Sequence, residues 1–331
     1  MDFAVNETTT EDNIVLSNEK YILCSYAYLF VGTLIILISI PAFPLVMIRK
    51  ALREPYAILV VAFFNSGLTG ISAMLVGIKR TIVSNHGEQL VDHHECVLNA
   101  PILLLTSYLL NGLSLLMNSM ERISVITFPL YYYKHGKRIS YSLIAAQYVI
   151  TITVITSTVI ASLIEPTRRV SNFCWLPNVL SRPFLITSLL LTYIASSLSV
   201  ILTAIAVFIF KKKVGKPVAS NLSRNHNLSH FLKNQKRFTQ TSIISCCFTF
   251  LFVVMPSIVE QINRLETSTV SQIIVMYCVY LRLLNSCNLV IVFFYRQRDL
   301  PSIVMRYFRD HFCGRKDHVQ SIKTCTNAPI N

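Results

Sequence analysis

The chain has 331 residues, of which 53% are hydrophobic and only 14% are charged. Soluble domains carry roughly 25% charged residues, so this composition excludes an ordinary soluble protein and indicates one that crosses a membrane several times. The formal net charge of +14 does not indicate nucleic-acid binding, because the basic residues gather in connections between apolar stretches. Those stretches are continuous rather than alternating, which favours helices over a β-barrel.

Residues 1–20 form a polar, acidic segment before the first apolar stretch. Asn6 begins an Asn-Glu-Thr sequence, which predicts N-glycosylation if this end is extracellular. No basic segment precedes the first apolar stretch and no small-residue cleavage site follows it, so we expect no cleaved signal peptide.

Seven apolar stretches follow, and each is long enough to cross a hydrocarbon layer of about 30 Å as a helix. The sequence therefore predicts an all-α membrane protein with a seven-transmembrane helix bundle over residues 21–295. Prolines predict kinks in the first span, at Pro41 and Pro44, and in the sixth span, at Pro256. The predicted spans are 21–48, 56–78, 97–120, 139–164, 183–210, 239–262 and 270–295.

The connections on the two sides of this bundle differ in charge. The predicted outer connections hold seven basic and eleven acidic residues, and the inner ones hold twenty-two basic and five acidic residues. Because basic connections stay in the cytoplasm, we predict a plasma-membrane protein with its N-terminus outside and its C-terminus inside. The outer connections are 1–20, 79–95, 165–182 and 260–266, and the inner ones are 49–54, 121–138, 211–238 and 296–331.

The third predicted span ends in an acid–base pair. No charge interrupts the sequence from Pro101 to Met120, and Glu121 and Arg122 follow directly. Pro129 comes seven residues after the arginine. At this water boundary the arginine can extend outward or bind a partner.

The inner connection 211–238 is the most basic one and contains no acidic residue. It fits a topology determinant attracted to anionic lipid, and it also fits a docking surface for an intracellular partner, with Lys236 and Arg237 near its end. Beyond the seventh span, residues 298–312 predict a short amphipathic helix lying in the membrane interface. Cys313 follows this helix and fits either a palmitoylation site or a plain cytosolic thiol.

Two cysteines on the predicted outer side favour a disulfide. Cys96 opens the third span and Cys174 lies in the connection after the fourth, so a bridge would hold that connection over the mouth of the bundle; Cys24 is the alternative partner. Near Cys96, the pair His93 and His94 invites a zinc interpretation. Adjacent histidines cannot both reach one ion without a special turn, so we favour a solvated loop without a metal site.

Polar residues inside the spans are functional candidates because they are costly to bury in a membrane. We expect Asn65, Asn111 and Asn285 to converge in mid-bundle, either as a functional network joining spans two, three and seven or as ordinary interhelical hydrogen bonds. Arg282 is a charge deep within a predicted span and needs a partner. Glu260 on the sixth span is the candidate, and an anionic ligand is the alternative.

Together these features resemble the rhodopsin-like G-protein-coupled receptors over residues 20–313. The resemblance rests on seven spans, an outer cysteine pair, Glu121-Arg122-Ile123 where the family has Asp-Arg-Tyr, and Pro256 in span six. The segment from Arg122 to Tyr132 is also similar to the pattern x-Arg-h-x-x-h-h-x-Pro-h-x-Tyr of nematode serpentine chemoreceptors, where h is apolar. The branches it resembles are the Srv- or Srg-like and the Srsx-like ones.

The resemblance implies a heterotrimeric G protein as the intracellular partner. In that family the arginine is held by the neighbouring acid at rest and meets the G protein when active. The residues thereby assigned to coupling are Glu121, Arg122, Pro129, Lys236 and Arg237. The residues assigned to a switch and polar network are Phe250, Pro256, Asn285, Asn288 and Phe293, with Asn65 and Asn111 added from spans two and three.

The resemblance also implies a ligand site for a small molecule or peptide in the outer half of the bundle, between spans three, five, six and seven. Span three offers no aspartate, which disfavours an amine ligand. Span seven has no lysine, which excludes retinal bound as a Schiff base, and no cofactor is expected. The residues assigned to the site are Leu104, Tyr108, Thr192, Tyr193, Glu260, Tyr277 and Arg282.

The chain also departs from the family pattern. Val254 stands at the position of the switch tryptophan, and Leu289 and Val290 stand where the family has Asn-Pro. Asn65 replaces the sodium-binding aspartate of span two, so no tight sodium site is expected.

Two other membrane-protein classes stay open as alternatives. A transporter would be expected to show inverted repeats, broken glycine-rich helices or midplane acids, which the sequence lacks. A seven-span ligand-gated channel of the insect odorant-receptor kind would have its N-terminus inside, which the charge distribution opposes. No metal triad, nucleophile–base pair or phosphate loop is recognisable in the spans, so we do not expect an enzyme.

Overall fold

A computed structural model describes residues 25–43, 57–86, 89–214, 243–263 and 269–296. Within them, six helices are long and apolar enough to cross a membrane, which supports the predicted helical, multi-span architecture. A seventh long helix occupies the position predicted for the seventh span. In chain order, the long helices of the described residues are Ser25–Phe43, Ala57–His86, Ala100–Thr127, Pro129–Ile164, Arg182–Val214, Ile243–Asn263 and Thr269–Arg296, numbered first to seventh below.

Some predictions fall outside the described residues and stay predictions. They concern Asn6, Pro44, Lys236, Arg237, the amphipathic helix 298–312 and Cys313. Pro129 and Phe293 lie at the start of the fourth long helix and near the end of the seventh. Only the backbone positions of these two residues are described.

The connection between the third and fourth long helices is shorter than predicted. The third continues to Thr127 and the fourth begins at Pro129, so most of the predicted inner connection 121–138 is helical. Phe128 separates them with φ −125° and ψ 65°. Proline explains the break, because its ring disfavours helical backbone at the preceding residue while it can itself begin a helix. Hydropathy locates only the apolar part of a helix, which is why the predicted ends were wrong.

The second long helix also extends beyond its predicted end at residue 78. It continues to His86, so Lys79 and Arg80 lie on the helix rather than in the outer connection predicted for them. Long basic side chains of this kind can lie along an apolar surface near the end of a span, and hydropathy does not register their apolar stems.

The third long helix lies at the centre of the bundle. In its apolar segment 72% of the residues are buried, compared with 17% in the fourth helix. It packs against the second, fourth and fifth long helices. Large apolar side chains on the outer helices are exposed instead, such as Phe30 on the first and Phe208 on the fifth. Such exposed apolar faces are those expected where a helix bundle meets lipid.

A small disulfide-linked cap lies at one end of the bundle, which we call the disulfide end. Strands β1 (Leu90–Asp92) and β2 (Arg169–Ser171) pair antiparallel within it. Cys96 and Cys174 form the predicted disulfide, with their Cα atoms 5.4 Å apart. The alternative partner, Cys24, lies outside the described residues. Both bridged cysteines are buried against the third and fifth long helices, so the cap is part of the packed structure.

His93 is buried in this cap, which corrects the expectation of a solvated loop. Its Nδ1 atom accepts a hydrogen bond from the backbone N–H of Arg168 at 3.1 Å, and its Nε2 atom lies 3.2 Å from the carbonyl oxygen of Ser162. Since Nδ1 accepts, Nε2 carries the proton and donates. Both ring nitrogens therefore hold the cap in place. The sequence could not show this, because the partners are backbone atoms 75 and 69 residues away.

The first and second long helices meet backbone to backbone at Gly32 and Gly70. A Cβ atom on Gly32 would lie 2.9 Å from the carbonyl oxygen of Gly70 and 2.9 Å from the backbone nitrogen of Met74. Neither atom can move aside as a side chain could. On the same second helix, a Cβ atom on Gly67 would meet only the Ser39 side chain, at 3.9 Å. Small residues let membrane helices approach this closely.

We expect Gly32→Ala to lower the free energy of unfolding by about 1–3 kcal/mol, because the added methyl forces the two backbones apart. Gly67→Ala is the matched control and should leave stability unchanged or raise it, since alanine favours helix. Thermal unfolding of the detergent-purified proteins measures both effects. Equal stabilities of the two variants would contradict the close approach.

Candidate functional site

The sixth and seventh long helices are joined by a buried ion pair. The Nη2 atom of Arg282 lies 2.7 Å from Oε2 of Glu260, and the two side chains are only 7% and 1% exposed. Tyr193 of the fifth helix completes the group. Its hydroxyl donates to Oε2 of Glu260 at 2.9 Å and accepts from Nη1 of Arg282 at 2.6 Å. The predicted pairing is therefore confirmed, and the fifth helix takes part in it.

Aromatic rings lie close to the same guanidinium. The Cζ atom of Arg282 is 5.5 Å from the ring centre of Tyr108 and 5.4 Å from that of Tyr193. A cation near an aromatic face gains about 0.5–2 kcal/mol, and more where water is excluded. Charges this deep are stable only if they are paired and hydrogen-bonded. This group, the ion-pair group below, therefore ties the third, fifth, sixth and seventh helices together.

A cavity of about 30 Å³ adjoins the ion-pair group in mid-bundle. It is lined by residues of the third, fifth, sixth and seventh long helices, the four that were predicted to surround a ligand site in the outer half of the bundle. Three buried polar atoms of its wall have no hydrogen-bond partner among the described residues: the hydroxyl oxygens of Tyr108 and Ser196, and Nε of Arg282. A polar cavity of this size holds about one or two water molecules. It therefore offers unused donors and acceptors to a polar guest.

Most of the predicted ligand residues lie at or beside this cavity. Tyr108, Thr192 and Arg282 line it, and Tyr193 and Glu260 complete the ion-pair group. Leu104 is buried in the adjoining core but does not belong to the described lining.

Tyr277 does not line this cavity, and its assignment to a ligand site stays a prediction. Its side chain is 66% exposed, and the described lining of the cavity does not include it. The physical reason is helical phase, because a residue five positions before Arg282 lies about 140° around the helix from it. Membership in the correct span therefore did not guarantee the correct face.

Asn111 links three helices beside the cavity. Its Nδ2 donates to the hydroxyl of Thr69 on the second helix at 2.8 Å and to that of Ser286 on the seventh at 2.9 Å. Asn285 lines the same cavity. Asn288 donates to the backbone carbonyl of Ser245 at 3.2 Å, which brings in the sixth helix. The predicted link between spans two, three and seven is therefore present, while its role in switching stays a prediction.

Asn65 belongs to a different polar group from the one predicted for it. Its Nδ2 donates to the hydroxyl of Ser114 at 2.7 Å, and its Oδ1 accepts from the hydroxyl of Tyr148 at 3.2 Å. Gln147 donates to the same Ser114 hydroxyl at 2.9 Å. Asn65 thus joins the second, third and fourth helices. The place beside Asn111 is taken by Thr69, which lies on the same helical face one turn further along, so the error was in the level along the helix and not in the face.

The sixth helix changes its geometry just before Pro256. Residues Phe250–Val254 form a π-helical turn, which holds one residue more than an α-helical turn. Such turns are frequent at functional sites, and the predicted irregularity of this span is therefore present next to the proline. Phe250 is 41% exposed, so its packing gives no support to a switch role. Val253 is the residue of this turn that reaches the cavity.

At the other end of the third helix, Glu121 is tied to the fourth helix. Its Oε1 accepts hydrogen bonds from the hydroxyls of Tyr132, at 2.8 Å, and Ser140, at 2.6 Å. In the sequence, Tyr132 stood out only as the last residue of the chemoreceptor-like pattern, and Ser140 was not singled out. Arg122 lies close enough to Cys246 of the sixth helix to interact with it electrostatically. The expected hold of Glu121 on its neighbour Arg122 stays a prediction.

Small hydroxyl residues, Thr69 and Ser114 among them, complete the polar groups. None of them was predicted as a site residue. A signal was available, because Thr69 follows Asn65 by four positions and Ser114 follows Asn111 by three. Residues at this spacing lie on one face of a helix, so hydroxyls beside a buried amide mark the face that turns inward.

No protein-family model matches the chain, and no curated protein matches it either. Function is therefore argued from the ion-pair group, the cavity and the polar groups around them.

Removing one partner of the ion pair should be far more harmful than removing both. We expect Glu260→Gln to lower stability by about 3–5 kcal/mol, because it leaves the Arg282 charge buried without its counter-ion, and we expect the double variant Glu260→Gln/Arg282→Met to recover most of that loss. Thermal unfolding in detergent measures both.

Tyr277→Phe serves as a control for substitution near the ion pair, and it should be neutral because the side chain is exposed. Additive losses in the double variant would show that Glu260 and Arg282 do not depend on each other.

Proposed function

We propose that this protein is a ligand-activated receptor of the G-protein-coupled type, with seven transmembrane helices. The observation that supports it best is the buried ion-pair group beside a polar cavity and the π-helical turn of the sixth helix. Six helices meet the length and apolarity needed to cross a membrane. The seventh long helix is taken as the seventh span, because its buried charge, Arg282, is paired within the bundle.

The proposed orientation places the N-terminus and the disulfide end outside the plasma membrane and the C-terminus in the cytoplasm. The distribution of basic residues between the connections supports it. The Cys96–Cys174 disulfide supports it independently, since disulfides persist on the oxidising side of a membrane.

In the proposed mechanism, a polar group of the ligand reaches the cavity and uses the free hydrogen-bonding atoms of Tyr108, Ser196 and Arg282. An interaction with Arg282 weakens its bond to Glu260 and so loosens the sixth helix from the fifth and seventh. The π-helical turn before Pro256 is the place where the sixth helix can change direction. The ligand shifts the equilibrium only by the difference between its affinities for the two states.

At the cytoplasmic end, the proposed consequence is a change in the contact between the third and sixth helices. Arg122 acts electrostatically on Cys246 of the sixth helix. In the proposal, movement of that helix opens the arginine to a G protein. Glu121 would stay fixed to the fourth helix through Tyr132 and Ser140. Pro129, Lys236 and Arg237 complete the proposed coupling surface.

A chemosensory role is the finer form of the proposal. It is supported by the similarity of the segment from Arg122 to Tyr132 to the nematode serpentine chemoreceptor pattern. The ligand would be a small molecule or a peptide whose polar part reaches the cavity.

The decisive experiment expresses the receptor in cultured cells and screens ligands against a second-messenger readout. For a compound that activates it, we expect Arg122→Ala to abolish the response while cell-surface expression and ligand binding persist. Arg138→Ala, at an exposed position of the fourth helix, is the matched control and should retain the response.

An undiminished response in Arg122→Ala cells would contradict the coupling role of this arginine. Ion or substrate flux through the purified protein in vesicles, without any G-protein response, would favour a channel or transporter instead.

A further inference from the structure

A second buried arginine lies towards the disulfide end, outside the site described above. Arg80 is on the last turns of the second long helix and is only 8% exposed. Its Cζ atom lies 4.3 Å from the ring centre of Trp175, in the cap, and 5.0 Å from that of Tyr28, on the first helix. The guanidinium is therefore held by two aromatic rings contributed by separate parts of the chain.

Two of the three nitrogen atoms of this guanidinium make no hydrogen bond. The Nε and Nη1 atoms of Arg80 are buried and have no hydrogen-bond partner, and no carboxylate of the described residues pairs with it. Cation–π contacts do not replace a counter-ion, because an aromatic ring carries no net negative charge. Arg282, by contrast, forms an ion pair with Glu260.

The charged residues near Arg80 interact with other groups of the chain. The neighbouring Lys79 turns its Nζ to the Cys174 sulfur at 2.9 Å. Glu95, in the cap, acts electrostatically on Lys79. A buried, uncompensated cation is strongly unfavourable, so these observations point to an anion that the described residues do not supply.

We propose that Arg80 is the anchor of a binding site for a carboxylate-bearing small molecule with an aromatic or apolar body. A carboxylate can accept hydrogen bonds from the in-plane N–H donors of Nε or Nη1, which lie on different sides of the guanidinium. The rings of Tyr28 and Trp175 supply apolar, polarisable contact for the body of the ligand. The site lies towards the disulfide end, where the cap and the first two helices meet.

The position of Tyr28 connects this site with the ion-pair group. Tyr28 packs in the same core cluster as Tyr108 and Leu283, and its ring meets that of Tyr280 edge-on at 5.2 Å. Tyr108 in turn faces Arg282. Binding at Arg80 stands without the proposed function, whereas an effect of binding on signalling rests on it.

The test uses Trp175 as a built-in probe, because it is the single tryptophan of the chain. Benzoate and its neutral analogue benzamide are titrated into the full-length protein in detergent while Trp175 fluorescence is recorded. We expect a saturable change with benzoate and none with benzamide, because only benzoate carries the charge that pairs with Arg80. Acetate should bind more weakly than benzoate, since it lacks the aromatic body.

Arg80→Gln should weaken benzoate binding by about tenfold or more, since a hydrogen-bonded charge is lost. Arg80→Lys keeps the charge without the planar fork and should also bind more weakly. Lys79→Gln is the matched control and should bind as the unaltered protein does. Thermal unfolding of each variant checks that it is folded.

Three results would overturn the assignment: equal responses to benzoate and benzamide, no saturable response to either, or equal benzoate affinity with and without Arg80. If neither Arg80 variant folds, the comparison of benzoate with benzamide in the unaltered protein decides whether the site binds a carboxylate. None of these results bears on G-protein coupling, which the Arg122→Ala experiment tests separately.

Discussion

A charge inside an apolar helix bundle is stable only beside an opposite charge, and this requirement organises the middle of the molecule. Arg282 is almost fully buried on the seventh long helix, so Glu260 on the sixth stands opposite it. The hydroxyl of Tyr193 contacts both partners and adds the fifth helix, and the ring of Tyr108 adds the third. The ion pair and its direct contacts thus join residues of four helices.

The two buried arginines, Arg282 and Arg80, differ in whether an acidic residue pairs with them. Arg282 receives an anion from the chain itself, and the cavity beside it keeps only a few polar atoms unused. Arg80 receives aromatic rings and no acid from the described residues. Tyr28 and Tyr108, packed in one cluster, lie between them.

Hydropathy and charge were sufficient to predict the long helices, because crossing a membrane imposes length and composition on each segment. The partner of Arg282 was predictable because few acids lie within the spans. The positions of single side chains were harder to predict. Tyr277 lies on a different face of its helix from Arg282, and Asn65 lies one turn away from the level of Asn111, because neither helical phase nor level follows from one side chain. The burial of His93 and Arg80 was not predictable, because their contacts come from residues far away in the chain.

The most direct test of the ion pair's central role measures the distance between the third and sixth helices when the pair is broken. Spin labels at Met120→Cys and Ile244→Cys, both exposed positions, report that distance by pulsed electron paramagnetic resonance after the exposed Cys247 is replaced by serine. With Glu260→Gln added, we expect a new population at longer distance, because the sixth helix has lost its tie to the seventh. Identical distance distributions with and without Glu260→Gln, in folded protein, would contradict the idea that the ion pair holds the sixth helix in place.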